Sequence, residues 1–290
     1  MSKLFRAMQD ANAMLGESPV ATQAVAQVLE AVRAEGSGRD SSPDALIGCR
    51  KLELAPLKRP FLLANDETSS THSAFEAYRA LRTKLVRFQS TQGVRSVVIS
   101  SAEAGEGKTV SALNLALSMA QLPSQRVLLI DADLRTFGLS VATGAVETPG
   151  LAEVLEGQVS FEQAILATNI PNLFIVGAGE PKRPPGDLFA GPSFKEFIGR
   201  CNEVFSMVLV DCPPLMGLAD FEVVSAACDG VLLVIRAHKT KRQRLADLVP
   251  LLCDRKLLGL VLNGQERQRH KSLYGYYYGK NGGNSHPRRA

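Results

Sequence analysis

No apolar run in this chain approaches the roughly 18 to 20 residues that a membrane-spanning helix needs, and the opening MSKLFRAMQDANAM lacks the apolar core of a secretory signal. Both absences point to a cytoplasmic protein. The five cysteines, Cys49, Cys201, Cys212, Cys228 and Cys253, are odd in number and show no CxxC spacing. That argues against a disulfide framework or a zinc site and for reduced thiols. A composition of 45% hydrophobic and 21% charged over 290 residues excludes a collagen-like or wholly disordered chain and suits one to two globular domains. Acidic groups are scarce toward the C-terminus: residues 236–290 hold 13 basic and 3 acidic side chains (+10), against 20 and 26 (−6) in residues 1–235, so the formal net charge of +4 is polarised. A basic end suits an anionic membrane face, nucleic acid or an acidic partner, and equally a solubilising surface.

Residues 1–45 carry Val25, Val28, Leu29 and Val32 at helical spacing, then the breaker-rich EGSGRDSSPD, which reads as a leader helix and a linker. From Leu46 a second organisation begins. Ser73 three residues before Glu76 is a capping-box spacing that predicts a helix from there to about Ser90. Six short runs follow: RSVVISSA, VLLIDAD, NLFIVGAG, SMVLVDCP, GVLLVIRA and LLGLVLNG. They lack polar alternation, which predicts strands buried on both faces, and helical segments separate most of them. The fold class that follows is α/β, a doubly wound, mainly parallel sheet flanked by helices. Pro250 inside KRQRLADLVPLLCDRK predicts a kink or stop near Val249. The domain bounds implied are 1–45, 46–269, and a glycine-rich tail at 270–290.

After the first core strand comes Ala102-Glu-Ala-Gly105-Glu106-Gly107-Lys108-Thr109, then a helical VSALNLALSMAQ that opens on Val110. Strand, glycine loop, Lys-Thr and helix is the context of a P-loop. Loop N–H groups and the helix N-terminus cradle phosphates, Lys108 reaches the β/γ oxygens, and the Thr109 hydroxyl is offered to Mg²⁺. Ala102 stands where the motif usually has its first glycine. Two acidic sites follow at strand ends, where an open α/β sheet places its crevice. VLLIDADLR carries Asp131 and Asp133, with Arg135 beyond, and MVLVDCPP delivers Asp211 where a Walker B carboxylate would stand.

A deviant P-loop, a DADLR box and a DCPP box in this order resemble the bacterial tyrosine kinases (BY-kinases), P-loop proteins unrelated to the eukaryotic kinase fold. Two further elements support the resemblance, which spans about residues 46–280. EAYRALRT, with Glu76, Arg79 and Arg82, is similar to the helix through which BY-kinase protomers pack into a ring. Tyr274, Tyr276, Tyr277 and Tyr278 are similar to the family's C-terminal tyrosine cluster.

The resemblance implies an ATP- and Mg²⁺-dependent tyrosine autokinase that controls exopolysaccharide or capsule polymerisation and export. In it Lys108, Asp131, Asp133 and Asp211 are catalytic, Gly105, Glu106, Gly107, Lys108, Thr109 and Val110 hold the nucleotide, and Thr109, Asp133 and Asp211 face the metal. Asp131 is assigned to orient the tyrosine hydroxyl and take its proton, since a hydroxyl with pKa near 10 is a weak nucleophile unaided; spacing alone leaves the three aspartate roles interchangeable. Arg236 and Asn263, at crevice-side strand ends, either contact adenine or cap turns. The implied partners are a membrane polysaccharide co-polymerase that recruits the chain to the inner membrane face, further copies in a ring, and a cognate tyrosine phosphatase; nucleic acid is not expected. Two other readings stay open. A partitioning or division-site ATPase shares the fold, although its P-loop typically has lysine where this chain has Glu103. A nucleotide-switched adaptor would bind membrane or nucleic acid through its basic C-terminal region.

Overall fold

The computed structural model describes residues 49–54, 69–146, 149–215 and 219–265. Residues 1–45 and the tyrosine cluster lie outside these. The described elements, in chain order, are β1 (Arg50–Leu52), α1 (Ser69–Gln92), β2 (Ser96–Ser101), α2 (Lys108–Ala120), β3 (Val127–Asp131), α3 (Gly138–Thr143), α4 (Leu151–Leu155), α5 (Phe161–Ala164), β4 (Leu166–Thr168), β5 (Leu173–Val176), α6 (Pro185–Phe189), α7 (Ser193–Val204), β6 (Met207–Asp211), α8 (Asp220–Ala226), β7 (Gly230–Arg236), α9 (Arg242–Leu252) and β8 (Leu257–Asn263).

They build an eight-stranded sheet in the order β1-β4-β5-β3-β6-β2-β7-β8. Every pairing is parallel except β4 with β5. All six strands expected from the apolar runs are present. β2, β3 and β6 are buried at every position, as their lack of polar alternation requires. Alternate residues feed opposite cores. Val98, Leu128, Ile130, Val208 and Val210 meet Phe161, Phe189, Phe194, Phe197 and Phe221 on one face. Val97, Ile99, Val127, Leu129, Met207 and Leu209 meet Leu85 of α1 and Leu113, Leu115 and Met119 of α2 on the other.

β2 runs to α2 and then β3, but β6 lies between β2 and β3 in the sheet. The chain thus works outward on one side of β2 and then returns to the other, and such a reversal opens a crevice at the C-terminal strand ends. The loop after β2, Asp131 to Asp133 after β3 and Asp211 at the end of β6 all meet there.

Three sequence expectations are corrected, and two strands are added to those expected. α1 begins at Ser69, so Ser73 lies within the helix and does not cap it; Glu76 instead pairs with Arg79 one turn on, at 3.0 Å. α9 runs past Val249 to Leu252, because a proline this near a helix end removes a single internal bond while Cys253 N–H still closes the last turn onto Pro250 O. β8 is not buried on both faces: it is the sheet's outer strand, with Leu257, Leu260 and Leu262 exposed. Finally, β1 and β4 have three residues each, too short to carry a period.

The thiols follow expectation. All five cysteines are free, and burial pushes Cys201 and Cys212 well above the ordinary thiol range. Among the described residues no helix is long and apolar enough to cross a membrane.

Candidate active site

The P-loop leaves β2 at Ser101 and enters α2 at Lys108, and its path needs two glycines. Gly105 and Gly107 adopt φ of +75° and +97°, the left-handed region that a side chain disfavours. A Cβ on Gly107 would also collide with the Asn263 amide. Glu106 between them is fully buried, while Val110 in the first turn of α2 is half-buried.

Lys108 is 9% exposed and its ammonium lies among carboxylates. Nζ donates to Asp133 Oδ2 at 2.7 Å and lies 3.6 Å from Asp211 Oδ1. Thr109 Oγ1 donates to Asp211 Oδ2 at 2.7 Å. Four side chains from three crevice-edge segments thus converge. Burial works against the Lys108 charge, but Asp211 and Asp133 outweigh it and raise the pKa. Burial also works against the Asp133 carboxylate, and Lys108 with the Thr136 bonds brings it below the ordinary range. Asp211 is fully buried, and desolvation pushes its pKa up to about 7 against the opposing pull of Lys108.

Asp131 pairs in register with Asp211 across β3 and β6. Its carboxylate is tied inward: Oδ1 accepts Asp133 N–H at 3.1 Å, and Oδ2 accepts the Ser140 N–H and hydroxyl at 2.8 and 2.7 Å. Burial raises its pKa, and the Ser140 bonds moderate the rise. Ser140, which carries no motif signal, therefore sets the orientation of a carboxylate that sequence reading placed among the catalytic groups.

Asp211 Oδ1 is a buried oxygen with no hydrogen-bond partner. A hydroxyl, an unsatisfied carboxylate oxygen and a second carboxylate form a hard, all-oxygen donor set. Such a set fits Mg²⁺, which uses one or two carboxylates and completes its shell with water and substrate phosphate.

Arg236 and Asn263 do reach the site, through the back of the P-loop. Arg236 Nη1 donates to Gly105 O at 3.0 Å and Asn263 Nδ2 to Glu106 O at 2.9 Å. Sequence reading missed two neighbours in the β7–α9 turn: Lys239 Nζ donates to Ala104 O at 3.2 Å, and the Thr240 hydroxyl bonds Glu106 Oε1. It also missed Asp220, which accepts from Arg135 Nε at 2.8 Å and links the turns after β3 and β6. The three α1 residues part company. Glu76 and Arg79 form their exposed pair, whereas Arg82 Nη1 donates to Ser118 O at 2.8 Å at the end of α2.

Residues 94–253 match the family model described as an AAA domain. The chain is 37% identical over 218 residues to the tyrosine-protein kinase YwqD of Bacillus subtilis (strain 168), covering 74% of this chain and 90% of that protein. Among solved structures it resembles the VpsO kinase domain, at 28% identity and a TM-score of 0.59, over 69% of this chain and 100% of that one. The septum site-determining protein MinD of Pyrococcus horikoshii OT3, solved with Mg-ADP, is similar over less: 60% of this chain and 72% of its own, at 25% identity and a TM-score of 0.50. A P-loop that opens a helix, with crevice carboxylates at the ends of β3 and β6, and kinase relatives matched over nearly their whole length lead to one conclusion: the chain belongs to the bacterial tyrosine-protein kinases and is a protein-tyrosine kinase on a nucleotide-binding P-loop fold.

Proposed function

We propose that this kinase transfers the γ-phosphoryl group of ATP to its own C-terminal tyrosines, Tyr274, Tyr276, Tyr277 and Tyr278, within a homo-oligomer. The observation that carries this reading is the buried Lys108 ammonium held between Asp133 and Asp211. It is a site made for opposite charges: when nucleotide enters, Lys108 turns from Asp133 to the β/γ oxygens, and the freed carboxylates face a cation. Mg²⁺ held by Thr109, Asp133 and Asp211 would neutralise phosphate charge as it develops on transfer. The loop N–H groups and the start of α2 fix the phosphates, so most of the rate comes from positioning and electrostatics.

Asp131 is the proposed acceptor of the tyrosine proton. A carboxylate whose pKa is raised by burial is a stronger base than an exposed one; Ser140 occupies Oδ2 with two hydrogen bonds, and Oδ1, held by the single Asp133 N–H, keeps the lone pair assigned to the proton. Adenine is assigned to the crevice edge at the end of β8, beside Asn263.

The kinase unit is taken as residues 46–269, with 1–45 as leader and linker and 270–290 as substrate tail. Its partners on this reading are a membrane polysaccharide co-polymerase, which recruits it to the inner membrane face, and a phosphatase that resets the tail. The process controlled is exopolysaccharide or capsule polymerisation and export. Family resemblance supports all three assignments. Glu76 and Arg79 remain the exposed pair for protomer contact; Arg82, engaged with its own α2, serves the interface by holding α1 in place.

The decisive experiment incubates the purified chain with Mg-ATP and maps phosphotyrosine by mass spectrometry. Labelling confined to Tyr274–Tyr278 and absent from Lys108→Met supports the reading. ATP hydrolysis without phosphotyrosine would favour a division-site type ATPase, and salt-sensitive lipid or DNA binding without either would favour an adaptor.

A further inference from the structure

Three consecutive peptide groups of the P-loop have their carbonyls held from one side. Ala104 O accepts from Lys239 Nζ at 3.2 Å, Gly105 O from Arg236 Nη1 at 3.0 Å, and Glu106 O from Asn263 Nδ2 at 2.9 Å. All three donors come from the C-terminal ends of β7 and β8 or the turn between β7 and α9. A trans peptide points its C=O and the next N–H in opposite directions. Tying back these carbonyls therefore turns the N–H groups of Gly105, Glu106 and Gly107 away from the β7–β8 side, toward the face where a phosphate cradle needs donors.

The Glu106 side chain completes the arrangement. It is fully buried and links two segments: Oε2 accepts Glu103 N–H at 3.0 Å across the loop, and Oε1 bonds the Thr240 hydroxyl. Arg244 pairs with Glu103 Oε1 at 3.0 Å, anchoring the loop's first residues to α9. A carboxylate would repel phosphate if it faced the cradle; here its two hydrogen bonds keep it behind the loop, where it acts as a strut.

We infer that Arg236, Lys239 and Thr240 are positioning residues that hold the P-loop in its phosphate-binding shape from behind, acting through the loop backbone and Glu106. This goes beyond an adenine contact for Arg236 and rests on the assignment of the loop as the phosphate cradle. It makes a distinction that ligand choice can read. A residue that touches the base matters for ATP and not for inorganic triphosphate, which has no base; a residue that shapes the loop matters for both.

The test measures binding of ATP and of inorganic triphosphate, each with Mg²⁺, to the full chain and to Arg236→Ala, Lys239→Ala, Thr240→Val and Thr240→Ser. Arg236 and Lys239 are exposed, so those two variants report on binding even if Thr240→Val folds poorly. The expected result is a loss of about tenfold for each ligand, equal between the two, in Arg236→Ala and Thr240→Val. Lys239→Ala should lose less by virtue of its longer bond, and Thr240→Ser should restore wild-type affinity. In autophosphorylation assays the same variants should raise KM for ATP while kcat at saturation stays within about twofold. Loss of ATP binding with triphosphate binding unchanged would overturn the inference in favour of a base contact. Unchanged affinity for both ligands would overturn it outright. A wild-type chain that binds neither ligand would overturn the cradle assignment and the inference together, whereas normal nucleotide binding without phosphotyrosine would leave the inference standing and remove only the proposed function.

Discussion

Lys108 and Asp211 oppose each other across the crevice, and their burial makes each sensitive to the loss of the other. Lys108→Met removes the cation that neutralises both Asp133 and Asp211, so autophosphorylation should fall by about 100- to 1000-fold in a radiolabel or phosphotyrosine assay. The same change strands two buried carboxylates, and thermal unfolding should show the variant less stable than wild type, more so at pH 8 than at pH 6, because protonation relieves them. Wild-type Asp211 carries its own pH signature without metal. Its pKa is raised from the usual 3.8 to about 7 by burial. The native state therefore binds its proton more tightly than the unfolded chain does: the stability from this group is fully present below about pH 4 and is lost as pH rises through about 7. Metal-free Asp211→Asn should accordingly gain melting temperature relative to wild type between pH 5 and pH 8; a difference that stays flat would show that burial does not govern Asp211. Asp131→Asn should reduce tyrosine transfer more than ATP binding, since it removes a proton acceptor and leaves the cradle intact. Equal losses in both would place Asp131 among the metal-side residues.

At the scale of elements, helix α1 shows how one face can carry two kinds of arginine. Glu76, Arg79 and Arg82 fall three apart and were grouped by the resemblance of EAYRALRT to the family's packing helix, with spacing that puts them on one helix face. The fold separates them, because α1 crosses the end of α2 near Arg82, whose guanidinium bonds the Ser118 carbonyl, while Arg79 remains in solvent beside Glu76. Arg82→Ala should then cost about 1 to 2 kcal/mol, seen as a melting temperature lower by a few degrees. Arg79→Ala should leave melting unchanged and shift the sedimentation profile toward smaller species. The reverse pattern would exchange the two roles. The start of α1 was misplaced for a related reason: a capping box is a local spacing, and Ser-x-x-Glu inside a helix has the same letters as one at its beginning. β8 was misread because apolar letters report what a strand tolerates, and its place at the sheet edge is set by topology.

The whole molecule sets the reach of its own tail. The described residues end at Gln265 just beyond β8, whose Asn263 lies against the P-loop, and eight residues lie between Gln265 and Tyr274, making nine Cα-to-Cα steps. Extended, they span at most about 30 Å, enough to leave the chain's own crevice for that of a neighbour. That reach permits either crevice, and on the proposed reading of a homo-oligomer transfer should occur between chains. Mixing Lys108→Met protein having an intact tail with active protein whose Tyr274, Tyr276, Tyr277 and Tyr278 are phenylalanine should label the inactive partner. An unlabelled partner, with wild type still labelling itself, would mean that each tail serves its own site.

The sequence by itself determined the six main strands, the α/β class and the identity of the P-loop and the crevice aspartates. These depend on local matters: the lack of polar alternation, glycines where the backbone turns left-handed, and acidic residues at strand ends. Only the tertiary structure decided which groups meet. That Lys108 rests on Asp133 rather than Asp131, and that Arg236, Lys239, Thr240 and Asn263 hold the P-loop from behind, follow from the order of strands; that Ser140 occupies Asp131 and that Arg82 bonds α2 of its own chain follow from how the helices pack on the sheet. β7 lies beside β2, and β8 beside β7, although more than 100 residues separate both from β2 in the chain, and a like separation between β1 and β4 hides that pair, whose three residues each carry no period of their own. Contacts of that kind are fixed by how two faces of a sheet are buried at once, a condition that no local window of sequence contains.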